Sequence, residues 1–226
     1  MTVLPKPEEF DVDGAIQETA EAVDSDTRAS FLRKAGVGAG AIVAGGALGG
    51  VLPGIARGAA IPASDIGILN FALTLEFLEA EFYAKAVAAR KLSGETLRFA
   101  RVVAQHEATH VKFLQKVLGS KAVKKPKFDF KGTTEDQAKF QATADVLENT
   151  GVHAYLGQLA NIKAKAVLVP AGRIALVEAR HAAWIRNIRF GGGTTVQTTP
   201  APAAFDDGFS KAKILAAVKA TGFIVG

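Results

Sequence analysis

The chain has 226 residues, 49% hydrophobic and 8% aromatic, with a formal charge of +5 and no cysteine. That length suits one domain of about 150 residues with extensions. The missing cysteine excludes disulfides, thiolate metal sites and thiol nucleophiles, and leaves oxygen and nitrogen donors for any metal. Abundant alanine and leucine beside one tryptophan and two tyrosines favour helices over a β-sandwich.

Residues 1–26 carry eight acids and one base, Lys6, so the rest of the chain holds 26 bases against 14 acids. Those bases are scattered, which predicts a solvated surface and no nucleic-acid partner. The acidic stretch reads as mobile or weakly helical. Thr27-Arg28-Ala29-Ser30-Phe31-Leu32-Arg33-Lys34 then precedes an uncharged run from Ala35 to Ala56. Basic residues before an apolar run are the grammar of an export signal. Thr27, Arg28, Phe31, Leu32 and Arg33 resemble a twin-arginine signal, with Ala29 where that pattern has its second arginine. The expected destination is the periplasm or cell envelope. A membrane anchor through 35–56 is the alternative, and a buried glycine-rich helix is the third.

Residues 61–190 read as four helices. The first is expected to be capped by Ser64 or Asp65 and to run to about Lys91. Leu69, Leu73, Glu76 and Tyr83 share one of its faces. A glutamate within an apolar stripe is costly unless bound or paired, which selects Glu76 as a ligand, with Glu79 as fallback and Glu81 on the surface. The second helix is capped by Ser93 and stopped by Gly119. It carries Glu107-Ala108-Thr109-His110 on the side of Val103, Val111 and Leu114, while His106 lies off that face and partly exposed. Residues 120–133, with five lysines, Pro126 and Gly132, form a crossover long enough to span a bundle. Thr134-Glu135-Asp136-Gln137 is expected as a capping box. It opens the third helix, with Phe140, Ala144, Leu147 and Glu148 along one side and a kink or end near Gly151 and Gly157. His153 reads as an ordinary helix histidine. The fourth helix is expected to start near Pro170 and end at Gly191. It carries Glu178-Ala179-Arg180-His181, with Trp184 against the floor of the site. Residues 191–204 read as a flexible linker, and Ser210 to Gly222 as an amphipathic segment that docks on the bundle or a partner subunit.

One pattern occurs twice. Glu76 lies 31 residues before Glu107, and Glu148 lies 30 before Glu178; each second glutamate opens Glu-x-x-His. At i, i+3 the carboxylate and imidazole share a helix face. Chance gives ~0.2 such phrases in a chain of this composition. Thirty residues is half a helix, a turn and half a helix, so each pair meets at one height in a hairpin. Two hairpins packed together bring Glu76, Glu107, His110, Glu148, Glu178 and His181 to one level, the arrangement of two-metal carboxylate bundles. Four carboxylates neutralise two divalent ions, with two Fe expected and Mn as alternative. Glu107 and Glu178 are expected to bridge, with His110 and His181 terminal and Glu76 and Glu148 outer.

These phrases resemble the ferritin-like superfamily in its bacterioferritin and rubrerythrin pattern. Leu75-Glu76-Phe77-Leu78-Glu79-Ala80-Glu81-Phe82-Tyr83 and Val177-Glu178-Ala179-Arg180-His181-Ala182-Ala183-Trp184 look closer still to the ferritin-like domain of desiccation-related proteins. The resemblance implies an all-α four-helix bundle with a long crossover, a two-metal site, and Tyr83 near the metals as a hydrogen-bond or electron donor. Three functions follow as expectations. The first is an iron-oxidising enzyme using O2 or peroxide. The second is a stress-protective protein stapled by metal. The third is a structural bundle whose apolar N-terminal run and tail bind membranes or partners, with a homo-oligomer among the expectations.

Overall fold

A computed structural model describes residues 61–225. The segment expected as an export signal, the apolar run 35–56 and the acidic stretch lie outside them. Among the described residues are five α-helices, no strand, and no helix long and apolar enough to cross a membrane. They are α1 (Ala63–Ala89), α2 (Gly94–Leu118), α3 (Gln137–Leu159), α4 (Lys165–Phe190) and α5 (Lys211–Thr221).

α1 packs chiefly on α2, and α3 on α4. Asp65, Glu76 and Tyr83 meet Lys163, Tyr155 and Glu148 in reverse order, so α1 and α3 are antiparallel. Phe99, His106 and His110 likewise meet Trp184, His181 and Glu178, so α2 and α4 are antiparallel. With each hairpin antiparallel too, α2 and α3 run in parallel, and the chain between them must traverse the bundle. A 25-residue α2 is ~38 Å long at ~1.5 Å per residue, well within the reach of the extended crossover. Phe128 and Phe130 bury in the core, with Phe130 against Phe82 at 5.3 Å. Asn70 fastens the start of the crossover by donating to Lys121 O at 2.9 Å and accepting from Val123 N at 2.8 Å. The bundle with its long crossover is the expected all-α architecture.

Several boundaries differ from expectation. α1 starts at Ala63 after Pro62, without a side-chain cap, and ends at Ala89 rather than Lys91. Asp65 is buried and instead accepts from the Lys163 and Ala164 amides, at 3.2 and 2.9 Å. Those amides lead into α4, which therefore opens at Lys165 and carries Pro170 inside it. Starting earlier leaves the helix one amide short at Pro170, while Asp65 satisfies donors at its entrance. Ser93 holds the cap position of α2, but its hydroxyl turns to Gln137. Asp136, not Thr134, caps α3 by accepting from Lys139 N at 2.8 Å.

α3 runs unbroken through Gly151 and Gly157. Helical backbone is open to glycine, and both positions are places of close approach. A Cβ on Gly157 would sit 1.9 Å from Phe209 O, because the tail crosses α3 backbone to backbone there. His153 faces that tail, its ring stacked on Phe209 at 4.1 Å and its Nδ1–H donating to Asp207 O. The stretch expected as a flexible linker holds a 3-10 turn, Val196–Thr198, fastened by Arg186 donating to Thr199 O at 3.2 Å. α5 buries Ile214 and Val218 against the bundle, as its amphipathic pattern predicts.

Candidate metal centre

The mid-bundle level of α1–α4 gathers all six paired residues. Glu76, Glu107, Glu148 and Glu178 are fully buried, His181 nearly so, and His110 keeps 12% of its side chain exposed. Two groups of donors overlap: Glu76, Glu107, His110 and Glu178, and Glu107, Glu148, Glu178 and His181. Within each, one donor atom per residue lies within 4.8 Å of the others, a span one ion covers with bonds of ~2.0–2.4 Å. Glu107 and Glu178 belong to both groups.

The imidazoles face inward through Nδ1. His110 Nδ1 lies 3.2 Å from Glu76 Oε2, 3.2 Å from Glu107 Oε2 and 3.3 Å from Glu178 Oε1. His181 Nδ1 lies 3.1 Å from Glu148 Oε2 and 3.3 Å from Glu107 Oε1. One ring nitrogen cannot donate to three carboxylates. Among the described residues, Glu107 Oε1 and both Glu178 oxygens accordingly have no hydrogen-bond partner, although imidazole nitrogens stand at ion-pair distance from Glu107 Oε1 and Glu178 Oε1. Buried carboxylate oxygens without donors are expensive. A cation between them would satisfy all three, and a donor set of carboxylates with imidazole suits a divalent metal ion.

Tyrosines hold the outer glutamates. The Tyr83 hydroxyl donates to Glu148 Oε1 and the Tyr155 hydroxyl to Glu76 Oε1. Each carboxylate thus gives one oxygen to a phenol and turns the other to a histidine. Tyr155 was not anticipated from the sequence. Its signal was present: Tyr83 and Tyr155 each lie seven residues after an outer glutamate, and they are the chain's two tyrosines. His106 also enters the site, although it is exposed. Its Nδ1 shares a 2.8 Å hydrogen bond with His181 Nε2, and the two rings stack at 5.1 Å. That bond turns His181 Nδ1 toward the carboxylates.

Glu79 is a fifth buried glutamate, 3% exposed. Gly151 explains its room: a Cβ there would lie 3.0 Å from Glu178 Oε2 and 3.4 Å from Glu79 Oε1. Glu81, by contrast, is a surface group paired with Lys85 at 2.9 Å. Trp184 does not floor the site. It packs edge-on against Phe99 at 5.3 Å and donates to Glu95 at 2.7 Å, leaving Phe99 between it and Tyr83.

The protein's own charges set the protonation. Burial raises Glu76 to about 7, against the pull of His110. Burial, then the Glu178 charge, pushes Glu79 well above the carboxylate range. Burial and the Glu107 charge do the same to Glu178. Burial opposes ionisation of Glu107 too, but bonds from His110 and His181 outweigh it and hold that group low. Burial disfavours the His181 cation, yet Glu148 and Glu107 lift it to about 10. Carboxylates so crowded keep protons unless cations replace them.

No curated protein matches the chain. The family model of the ferritin-like domain matches residues 64–190, more than half of the chain and all but the first residue of the four-helix bundle.

Proposed function

The chain belongs to the ferritin-like family, and from that premise we propose that it binds two iron ions and uses them to reduce O2 or peroxide, with manganese as the alternative metal. The observation that carries this reading is the pair of overlapping donor groups sharing Glu107 and Glu178, three of whose four buried carboxylate oxygens lack hydrogen-bond donors among the described residues. Glu107 and Glu178 would bridge, Glu76 and His110 would hold one ion, and Glu148 and His181 the other. Two ferrous ions supply one electron each, enough with two protons to reduce O2 to peroxide or peroxide to water.

The surrounding residues hold that arrangement. Tyr83 and Tyr155 each occupy one oxygen of an outer glutamate and keep the second oriented inward. His106 would accept the His181 Nε2–H, which would leave His181 Nδ1 free to hold an ion. Packed helices exclude water, so four ionised glutamates suit two divalent ions, and Glu79 keeps its proton as a neutral fifth acid. Export through the twin-arginine-like Thr27–Lys34 segment is part of the proposal. It would deliver the protein folded with its metals in place.

Metal-free protein given Fe(II) in air is expected to take up two ions per chain and develop the near-ultraviolet absorption of paired ferric iron, with Glu107→Ala as a blank control. An unchanged spectrum would overturn the redox reading. The crowding of five buried carboxylates supports a second reading, a metal that acts as a folding staple. Two retained ions, a large fall in Tm on chelation and no Fe(II) oxidation would select it.

A further inference from the structure

We propose that a small apolar cavity beside the candidate centre binds dioxygen, a reading that rests on the redox function above and chooses O2 over peroxide. The cavity is about 20 Å3 and is lined by Ala72, Leu75, Leu114, Ala154, Tyr155 and Ile174 among others. Its position follows from helix register. Ala72 lies four residues before Glu76, Leu114 four after His110, and Ile174 four before Glu178; Tyr155 lies seven after Glu148. Given the directions of the helices, all four place these residues at the same end of the centre, about one or two turns from the donors. Tyr155 is the partition: its ring borders the cavity and its hydroxyl donates to Glu76.

Size and chemistry select the occupant. A water molecule needs ~10–15 Å3 of such space and two to four polar partners. The space is sufficient, but the partners are few. The Tyr155 hydroxyl is committed to Glu76, and Gln158 is the one other polar side chain in the lining. Peroxide, which donates and accepts like water, meets the same obstacle. A nonpolar diatomic needs no hydrogen bonds and loses none on entry.

Xenon is the probe, because it reports an apolar cavity without any metal. Crystals of the full chain under xenon pressure are expected to show one atom between Ala72, Leu114 and Ile174, with or without iron. Ala171→Leu fills the cavity from one wall and Ala72→Val from another, so the test does not hang on the folding of either. Each is expected to lose the xenon, keep two ions per chain, slow Fe(II) oxidation by O2 several-fold and leave oxidation by peroxide unchanged. No xenon in the native cavity would overturn the pocket and leave the metal reading intact. Equal slowing with O2 and peroxide, or slowing with neither, would overturn the assignment to O2. Xenon binding in a native protein that takes up iron but never oxidises it would overturn the redox reading, and the dioxygen assignment with it.

Discussion

At one end of the candidate centre Tyr83 is enclosed by Phe82, Phe99 and Phe140, with ring centroids 5.2, 5.8 and 5.8 Å away. At the other, Tyr155 borders the small cavity, whose lining is mostly aliphatic with Phe71 and Phe113 among it. The two tyrosines do the same thing, each reaching across to the outer glutamate of the other hairpin. The donors repeat because an ion demands fixed atoms at fixed spacing. Their surroundings need to fill volume and nothing more, and aromatic rings and aliphatic chains fill it differently. The centre therefore has a sealed end and an end with room.

The largest expected effect tests what the two ends share. Glu107→Ala removes a donor from both groups and is expected to abolish binding of both ions. Glu148→Ala, at the Tyr83 end, should cost one. Elemental analysis after dialysis distinguishes these, and a single ion retained by Glu107→Ala would break the bridging assignment. Next comes packing. Phe140 is fully buried against Phe82 and Tyr83, so Phe140→Ala is expected to cost ~3–5 kcal/mol, roughly 10 °C in Tm. Ala171→Leu, adding volume beside the cavity, should move Tm far less. Equal losses at both ends by calorimetry would contradict the difference in packing.

Acidity gives a smaller effect, centred on Glu76 at the roomy end. Its folded pKa of about 7 lies above the ordinary 4.5. The proton it keeps stabilises the metal-free fold fully below pH ~4.5, and that stability is lost as pH rises through about 7. The size is a few kcal/mol, several degrees in Tm. Metal-loaded protein, in which Glu76 and the other three ligand carboxylates would already be ionised, should show no such fall between pH 5 and 8. Parallel melting curves for the two forms would refute the assignment. The smallest effect concerns the histidines. His181 leans on His106, and His110 has no equivalent partner among the described residues. His106→Ala is expected to weaken one of the two ions roughly tenfold, with His106→Gln restoring part of the affinity. Competition with a chelator reads this out, and equal weakening of both ions would remove the distinction.

Much of this was legible in the sequence, because the duplicated spacing constrains a hairpin and two hairpins constrain a bundle. What escaped are contacts whose partners lie far along the chain. Asp65 has the look of a local cap and serves donors 98 and 99 residues away. His106 falls off the apolar stripe of its own helix, and periodicity does not reveal the ring of His181 standing beside it. Gly151 reads as a weak point of α3, while its value is the space it leaves for Glu79 and Glu178. Tyr155 could have been found by asking whether Tyr83 had a counterpart.

The Asp65 contact has a consequence for how the molecule assembles. Neither hairpin alone contains both sides of it, so the Lys163 and Ala164 amides gain their acceptor when the first hairpin docks on the second. In hydrogen exchange these two loop amides should be protected as long as the core of α1. Their rates give a residue-level report on whether the halves of the bundle are joined.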